Sequence, residues 1–397
     1  MNFDTYHNRE KEGSVKWFLM KEKKPTVGDD IIPMTVADMD FEMDPKLKDG
    51  LKKFIDEAIL GYTLPTNDYL DTVIDHYERN YKTKINREEI VTSAGVVPAI
   101  YACVNAFTKE DEGVIIFSPV YPQFSKAIVS NKRKLVSSPL IYENNKYFID
   151  FDHFEQLAKD EKNTLLIFCN PHNPSGRIWT SEELKRIDDI CKANNITVIS
   201  DEIHSDLMLF GNEHTSYFSI GEQSAKNSVL MSAASKSFNI AGLKCANIVI
   251  KDTELRVKYL ARMDSLGIMG TNMLGMKATE LAYKYSEPWL KEAIKTIEYN
   301  FDLVKEFFAK YSDLFAVYEL QATYLVWINF SNFIEKFKIS SEEFIKFLEN
   351  NDIFVHPGIN FGKEGENFFR VNIAIPPHKC REFLERLDKG LEETFKI

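Results

Sequence analysis

A chain of 397 residues with 60 acidic and 49 basic side chains carries a formal net charge of −11, so nucleic acid and anionic membrane surfaces are excluded as expected partners. With 44% hydrophobic and 27% charged residues, it is long enough to bury a substantial core without staples, as two domains or as one large domain with a satellite. Five dispersed cysteines without a Cys-x-x-Cys pair, and eight histidines without metal-ligand spacing, argue for reduced thiols in a cytoplasmic protein and against a disulfide frame or a metal site.

The first twenty residues are polar and mixed in charge, which predicts no secretory leader, and no apolar run is long enough to span a bilayer. Residues 1–30 read as a polar arm. An apolar segment follows at 31–41, ending in Asp38-Met39-Asp40-Phe41. Pro45 opens a helical pattern with Leu47, Leu51, Phe54, Ile55 and Ala58 on one face, and Gly61-Tyr62 closes it. From residue 90 short β-rich runs recur at 90–92, 114–117, 135–137, 165–168, 197–200, 229–231 and 246–250, with helical patterns between many of them. The clearest helix is 182–194, with Leu184, Ile187, Ile190 and Cys191 on one face and a Thr180/Glu183 capping box before it. Doubly buried strands alternating with helices predict an α/β unit around a mainly parallel, seven-stranded sheet. After Gly275 a long helical region covers 281–315, interrupted near Pro288. A strand at 323–330, a helix at 340–350 with a Ser340/Glu343 capping box, a strand at 368–375 and a last helix at 378–395 complete a smaller α+β unit. The expected division is a large domain over 31–285, with 1–30 and 286–397 forming the arm and the small domain.

Ligands of open α/β sheets bind beyond the carboxyl ends of the strands, and the chemically suggestive residues cluster there. Lys236 lies in Ser232–Lys244, after the apolar run Val229-Leu230-Met231 and among small residues. A lysine so placed can reach a planar ligand lying against the backbone, and with a lowered pKa it becomes a nucleophile toward a carbonyl; the ordinary alternative is a solvated surface lysine. Asp201 ends a strand, where it either pairs with a protonated ring nitrogen or caps a turn. The doubled Asn-Pro of 170–174 fixes a rigid turn that is purely structural or aims the Asn173 amide at an oxygen. Gly95 and Val96 sit between a strand and a helix, a connection that also presents N–H groups to a phosphate. Tyr121 is either a core tyrosine or a ring stacked on a planar group. Arg370, flanked by apolar residues, suits a carboxylate clamp or an internal ion pair equally.

In this order, Asn173, Asp201, Lys236 and Arg370 resemble the fold-type I pyridoxal-phosphate enzymes of the aspartate-aminotransferase superfamily, over about residues 30–395. The phrases Val36–Phe41, Asp201–Asp206 and Ser235–Leu243 are similar to the MalY/PatB branch of cystathionine β-lyases, the cysteine-S-conjugate β-lyases. The resemblance implies an aspartate-aminotransferase-like fold, pyridoxal 5'-phosphate as cofactor, a small amino-acid substrate and a homodimer. It makes Lys236 the Schiff-base lysine and the base for the Cα proton, and Asp201 the partner of the pyridine nitrogen. Asn173 and His204 fall near the phenolic oxygen, and Tyr121 stacks on the ring. The amides of Gly95 and Val96, with Ser235 and Lys244, bind the phosphate, and Tyr62 reaches in from a second subunit. Arg370 holds the substrate carboxylate, helped by the backbone near Ala37, with Tyr121 and Asn173 beside it; Tyr121 is a candidate to assist the leaving sulfur. Four positions depart from the common pattern: Ala233 replaces a frequent serine, Lys244 a frequent arginine, and Gln321-Ala322 an acid–glycine pair. The implied reaction is α,β-elimination from L-cystathionine or a related S-conjugate, giving pyruvate, ammonia and a thiol. An aminotransferase shares every step to the carbanion, and a regulatory protein-binding role on the same fold is a further alternative.

Overall fold

A computed structural model of the chain describes residues 2–268 and 270–397. Its centre is a seven-stranded sheet. The strands are β1 (Ile90–Ser93), β2 (Gly113–Ser118), β3 (Lys134–Pro139), β6 (Asn163–Cys169), β7 (Thr197–Asp201), β8 (Ser228–Ser232) and β9 (Ala246–Ile250), with a small hairpin of β4 (Ile141–Glu143) and β5 (Lys146–Phe148) outside it. The spatial order is β1-β9-β8-β7-β6-β2-β3, and only β9 runs antiparallel to its neighbours. Side chains of a strand alternate between faces, and both faces here are covered. Ile115, Phe117, Leu166, Phe168 and Val198 pack on one side with Trp179, Leu184 and Ile187. Val114, Ile116, Leu165, Ile167 and Ile199 pack on the other with Ala99, Ile100, Phe124 and Ile128. The continuous hydrophobic runs of the sequence are the outcome of this double burial.

A second, antiparallel sheet combines β10 (Ala316–Val317), β11 (Leu325–Asn329), β13 (Phe368–Asn372) and β12 (His356–Pro357), in that spatial order. The helical region expected over 281–315 is two helices, Met273–Tyr285 and Glu287–Ala309. The break falls at Ser286 because Pro288 sits in the first turn of the second helix, where its missing N–H is not needed.

Two helices depart from the expectations. The arm carries α1 (Val15–Lys23), whose Lys16, Trp17 and Met20 are buried, so this polar-looking segment packs against the body. After α2 (Pro45–Glu57) comes α3 (Asn67–Tyr81), capped by the Thr66 hydroxyl. Its buried face of Tyr69, Thr72, Val73, His76, Tyr77 and Tyr81 is too polar to read as an apolar stripe. The helices α4 (Val96–Phe107) and α5 (Pro122–Ser130) follow β1 and β2 and cover one sheet face. The carboxyl ends of β1, β2, β6, β7 and β8 thus open at one edge, where the loops after them meet β13.

Candidate functional site

Those loops enclose a cavity of about 590 Å³, lined by Ala37, Gly95, Val96, Tyr121, Asn173, Asp201, His204, Ser235, Lys236 and Arg370. Residues separated by more than 300 positions in sequence therefore share one wall.

Lys236 comes from the single-turn helix Ala234–Ser237 after β8. Its Nζ donates to the Ala37 carbonyl at 2.5 Å, and the Tyr324 hydroxyl donates to the same oxygen at 3.0 Å. Burial pushes this amine down to about 8; Asp38 and Asp201 pull it up, while Arg370 and Lys16 push it further down. Lys236 is therefore not a solvated surface lysine: a substantial fraction is neutral near pH 8, the form that attacks a carbonyl or accepts a proton.

Asp201 closes β7 and is buried. One carboxylate oxygen accepts the Ile203 N–H at 3.2 Å, the turn contact of the ordinary reading. The same group also lines the cavity. Burial lifts it to about 7, opposed by the Ile203 N–H and Lys236 and reinforced by Glu202. A buried carboxyl so raised gains most from a cationic hydrogen-bond donor brought into the cavity.

Arg370, in the middle of β13, is 3% exposed. Its Nη1 donates to the Asn173 Oδ1 at 2.8 Å and its Nη2 to the Thr35 carbonyl at 3.0 Å, while the guanidinium carbon lies 4.8 Å from the centre of the Phe361 ring. Its Nε has no protein partner, and among the described residues no carboxylate forms an ion pair with it. Burial lowers its pKa to about 10, against the pull of Tyr121 and Tyr324. Of the two equal readings of Arg370, the internal ion pair is thereby removed. Because the Asn173 oxygen is turned to the guanidinium, the NH2 of this amide is the end available as a donor.

Gly95 has φ 139° and ψ 165°, a conformation that only glycine adopts without strain, and it caps α4. The first N–H groups of this 12-residue helix have no intrahelical acceptors, and its first two residues, Val96 and Val97, line the cavity. Tyr121 precedes α5, packs edge-on to Phe124 at 6.0 Å and has its phenol raised by burial and by Asp201. His204 is buried with Nδ1 unpartnered, and burial with the charges of Lys236 and Arg370 pushes its imidazole well below its ordinary value, so it is neutral.

Two expected residues stand apart. Tyr62 is fully exposed in the loop between α2 and α3, and Lys244 is exposed at φ 47°, its carbonyl bonded to Thr271. Neither lines the cavity within one chain. The structure also brings in groups that sequence reasoning missed. His356 faces Arg370 across the β12–β13 pair, and Gln123 and Lys126 reach the wall from α5. Only the strand register could have found His356. The atypical Gln321-Ala322 pair just before Tyr324 is visible in the sequence as an anomaly, but the Tyr324 bond to Ala37 is not. Among the described residues there is no cluster of metal ligands, and no helix is long and apolar enough to cross a membrane.

Comparison with known proteins places this geometry. Residues 29–387 match the model of the aminotransferase class I and II family. Cystathionine beta-lyase PatB of Bacillus subtilis is 36% identical over 392 residues, covering 98% of this chain and all of the relative. Cystalysin from Treponema denticola, whose crystal structure contains pyridoxal 5'-phosphate, is 40% identical and superposes with a TM-score of 0.96 over 99% of both chains. The PLP-bound C-S lyase of Staphylococcus hominis is 30% identical, with a TM-score of 0.91 over 98% of both chains. With residues 29–387 matched and a 36% identical relative covered over its whole length, the chain belongs to the aminotransferase class I and II family.

Proposed function

We propose that this chain is a pyridoxal-phosphate-dependent carbon–sulfur β-lyase, acting on L-cystathionine or a related cysteine S-conjugate and releasing pyruvate, ammonia and a thiol. The observation that carries it is the meeting, in one cavity, of a lysine depressed to about 8, a carboxyl raised to about 7 and a buried guanidinium without an acid partner. The names of the relatives, cystathionine beta-lyase and C-S lyase, favour elimination over transamination.

The residues present fit the cofactor. The N-terminus of α4 with Gly95, Val96 and Ser235 suits its phosphate, Asp201 its ring nitrogen, Tyr121 its ring face, and Asn173 with His204 its phenolic edge. When bound, pyridoxal phosphate supplies an aldehyde for amine linkage and a ring that takes up the electron pair of a broken Cα–H bond. The chain does the rest. Arg370 and Asn173 hold the α-carboxylate, which fixes the Cα–H bond with respect to Lys236. Lys236, neutral in part, accepts the Cα proton. Asp201, ionised beside a cationic nitrogen, stabilises charge there. The thiolate leaves from Cβ.

The same reading puts Tyr62 in a second subunit's phosphate site and Lys244 near a phosphate. Exposure of Ile59, Leu60, Tyr62 and Leu64 on one loop supports a homodimer, because a second chain would cover this apolar surface. It also divides the chain into a large domain over 31–285 and an arm and small domain from 1–30 and 286–397; the seven-stranded sheet falls within the former and the four-stranded sheet within the latter.

The test is incubation of the cofactor-loaded protein with L-cystathionine and no keto acid. Pyruvate and thiol in equal amounts are expected at once. A strict requirement for added keto acid would replace the lyase with an aminotransferase. Asp201→Asn keeps the shape and the Ile203 contact but cannot carry charge, and kcat is expected to fall by about 100-fold with KM little changed. The native carboxyl binds its proton near pH 7 whereas an unfolded one does so near 3.8, so wild-type stability falls as pH rises between these values. The cofactor-free variant should therefore melt higher than wild type at pH 8, as thermal unfolding will show.

A further inference from the structure

The segment 35–41 forms one wall of the cavity, and side chains from four directions hold its carbonyls. The Thr35 oxygen accepts Arg370, and the Val36 and Asp38 oxygens accept the Asn372 amide, each at 2.7 Å. The Met39 and Phe41 oxygens accept the Asn239 amide at 3.0 and 3.3 Å. Ala37, between them, receives Lys236 and Tyr324. The fourth direction is the N-terminal arm. Lys16 of α1, 0% exposed, donates to the Asp38 carbonyl at 2.8 Å and pairs with the Asp40 and Asp38 carboxylates at 2.7 and 2.9 Å. Arg9 pairs with the same two acids at 2.9 and 3.1 Å. Two cations and two anions thus meet beside the carbonyl that holds the Lys236 amine, Lys16 and Asp40 fully buried and Arg9 and Asp38 partly so. The proposed chemistry leaves all four unused.

We propose that Lys16, seconded by Arg9, is a positioning residue for Lys236: it fixes the Asp38 carbonyl and both carboxylates, and so sets the place of the Ala37 oxygen and the charge that the Lys236 amine feels. This rests on the reading of Lys236 as the cofactor-linked base. The charged groups facing Lys236 are Asp38, Arg370, Asp201 and Lys16, with neutral His204 feeling Lys236 in turn. Although burial works against it, Lys16 and Arg9 hold the Asp38 carboxyl below the usual carboxylate range, so Asp38 is anionic. Removing the Lys16 charge leaves Asp38 less balanced and raises the proton affinity of Lys236. Removing the Asp38 charge lowers it. A merely structural defect has no reason to give opposite signs.

The experiment compares full-length Lys16→Met, Lys16→Arg and Asp38→Asn with wild type. Two midpoints are read: the pH midpoint of the visible band of the cofactor-loaded protein, and that of the acylation rate of Lys236 in the cofactor-free chain. Lys16→Met should raise both by about half a unit or more and lower kcat about tenfold with KM within about twofold. Asp38→Asn should lower both midpoints, and Lys16→Arg should return them to wild type. If Lys16→Met does not fold, Arg9→Gln takes its place in the same comparison, with the midpoints again rising. Midpoints that stay put, or that move together in the Lys16→Met (or Arg9→Gln) and Asp38→Asn proteins, overturn the role of Lys16. A wild-type chain that takes up no colour from pyridoxal phosphate overturns instead the reading on which it rests.

Discussion

Lys236→Ala is expected to lower kcat by about four orders of magnitude or more and to leave the protein unable to retain the cofactor through dialysis. The amine carries two tasks that no neighbour can assume. His204 is neutral and lies in the same cavity, but its Nδ1 is walled off from solvent, and its ring stands against Tyr324 with centroids 6.4 Å apart. Lys16 is closed in by Asp38 and Asp40. The fold should survive the change, because the one hydrogen bond lost is to the Ala37 oxygen, which keeps the Tyr324 hydroxyl. A lysine held near 8 where the unfolded chain has 10.5 lowers stability when protonated, so the native state gains stability as pH rises through that window. The alanine variant loses this dependence, and its melting temperature should vary less between pH 8 and 10. Lys236→Arg sharpens the test: arginine keeps the charge and reach but does not give up its proton, so it too should be inactive. Retention of more than about one per cent of wild-type kcat by the alanine variant would remove Lys236 from the mechanism.

How far the site could be read in the sequence follows from the distance over which each signal acts. Asp201 and Asn173 follow apolar β-rich runs within one or two turns of chain, and strand-end position is a local property. Lys236 and its small neighbours are likewise local. The bond that holds its amine spans 199 residues, and the one that orients the Asn173 amide spans 197. No pattern of periodicity carries such pairings; the resemblance to pyridoxal-phosphate enzymes brought Ala37, Asn173, Lys236 and Arg370 to one site but named neither bond. The α/β alternation gave the seven strands because double burial imposes continuous hydrophobic runs. Helix α3 escaped for the opposite reason: tyrosines and a histidine bury their rings while satisfying their polar ends, as when Tyr69 bonds Asn247 and His76 bonds Asp206. Lys16 escaped because a lysine in a charged arm reads as solvated until its two acidic partners, 22 and 24 residues on, are brought against it.

Arg370→Leu is expected to lower kcat/KM by about 1,000-fold, most of it in KM, and Arg370→Lys by about 100-fold. A thousandfold is about 4 kcal/mol, within the range for deleting one partner of a buried, hydrogen-bonded charge pair. The particular geometry makes the loss specific to substrate. Since no acid in the described chain is paired with this guanidinium, its removal strands no buried carboxylate, and only the Asn173 and Thr35 oxygens lose a donor. Stability should therefore change little, or rise, because burial alone already disfavours the charged form. Lysine restores a charge but not the planar fork that engages a carboxylate with two parallel bonds, hence its intermediate place. A structural role would show the reverse, a lowered melting temperature with KM intact. The deciding comparison is between the free amino acid and its carboxamide as substrates. Wild type should prefer the free acid by a wide margin, and Arg370→Leu should have lost that preference. If both proteins discriminate equally, the α-carboxylate is bound elsewhere, and the orientation of the Cα–H bond with respect to Lys236 must be sought from another group in the cavity: Lys126 is the cationic candidate on its wall, because burial and the nearby Arg370 push the His356 imidazole down to about 3 and leave it neutral.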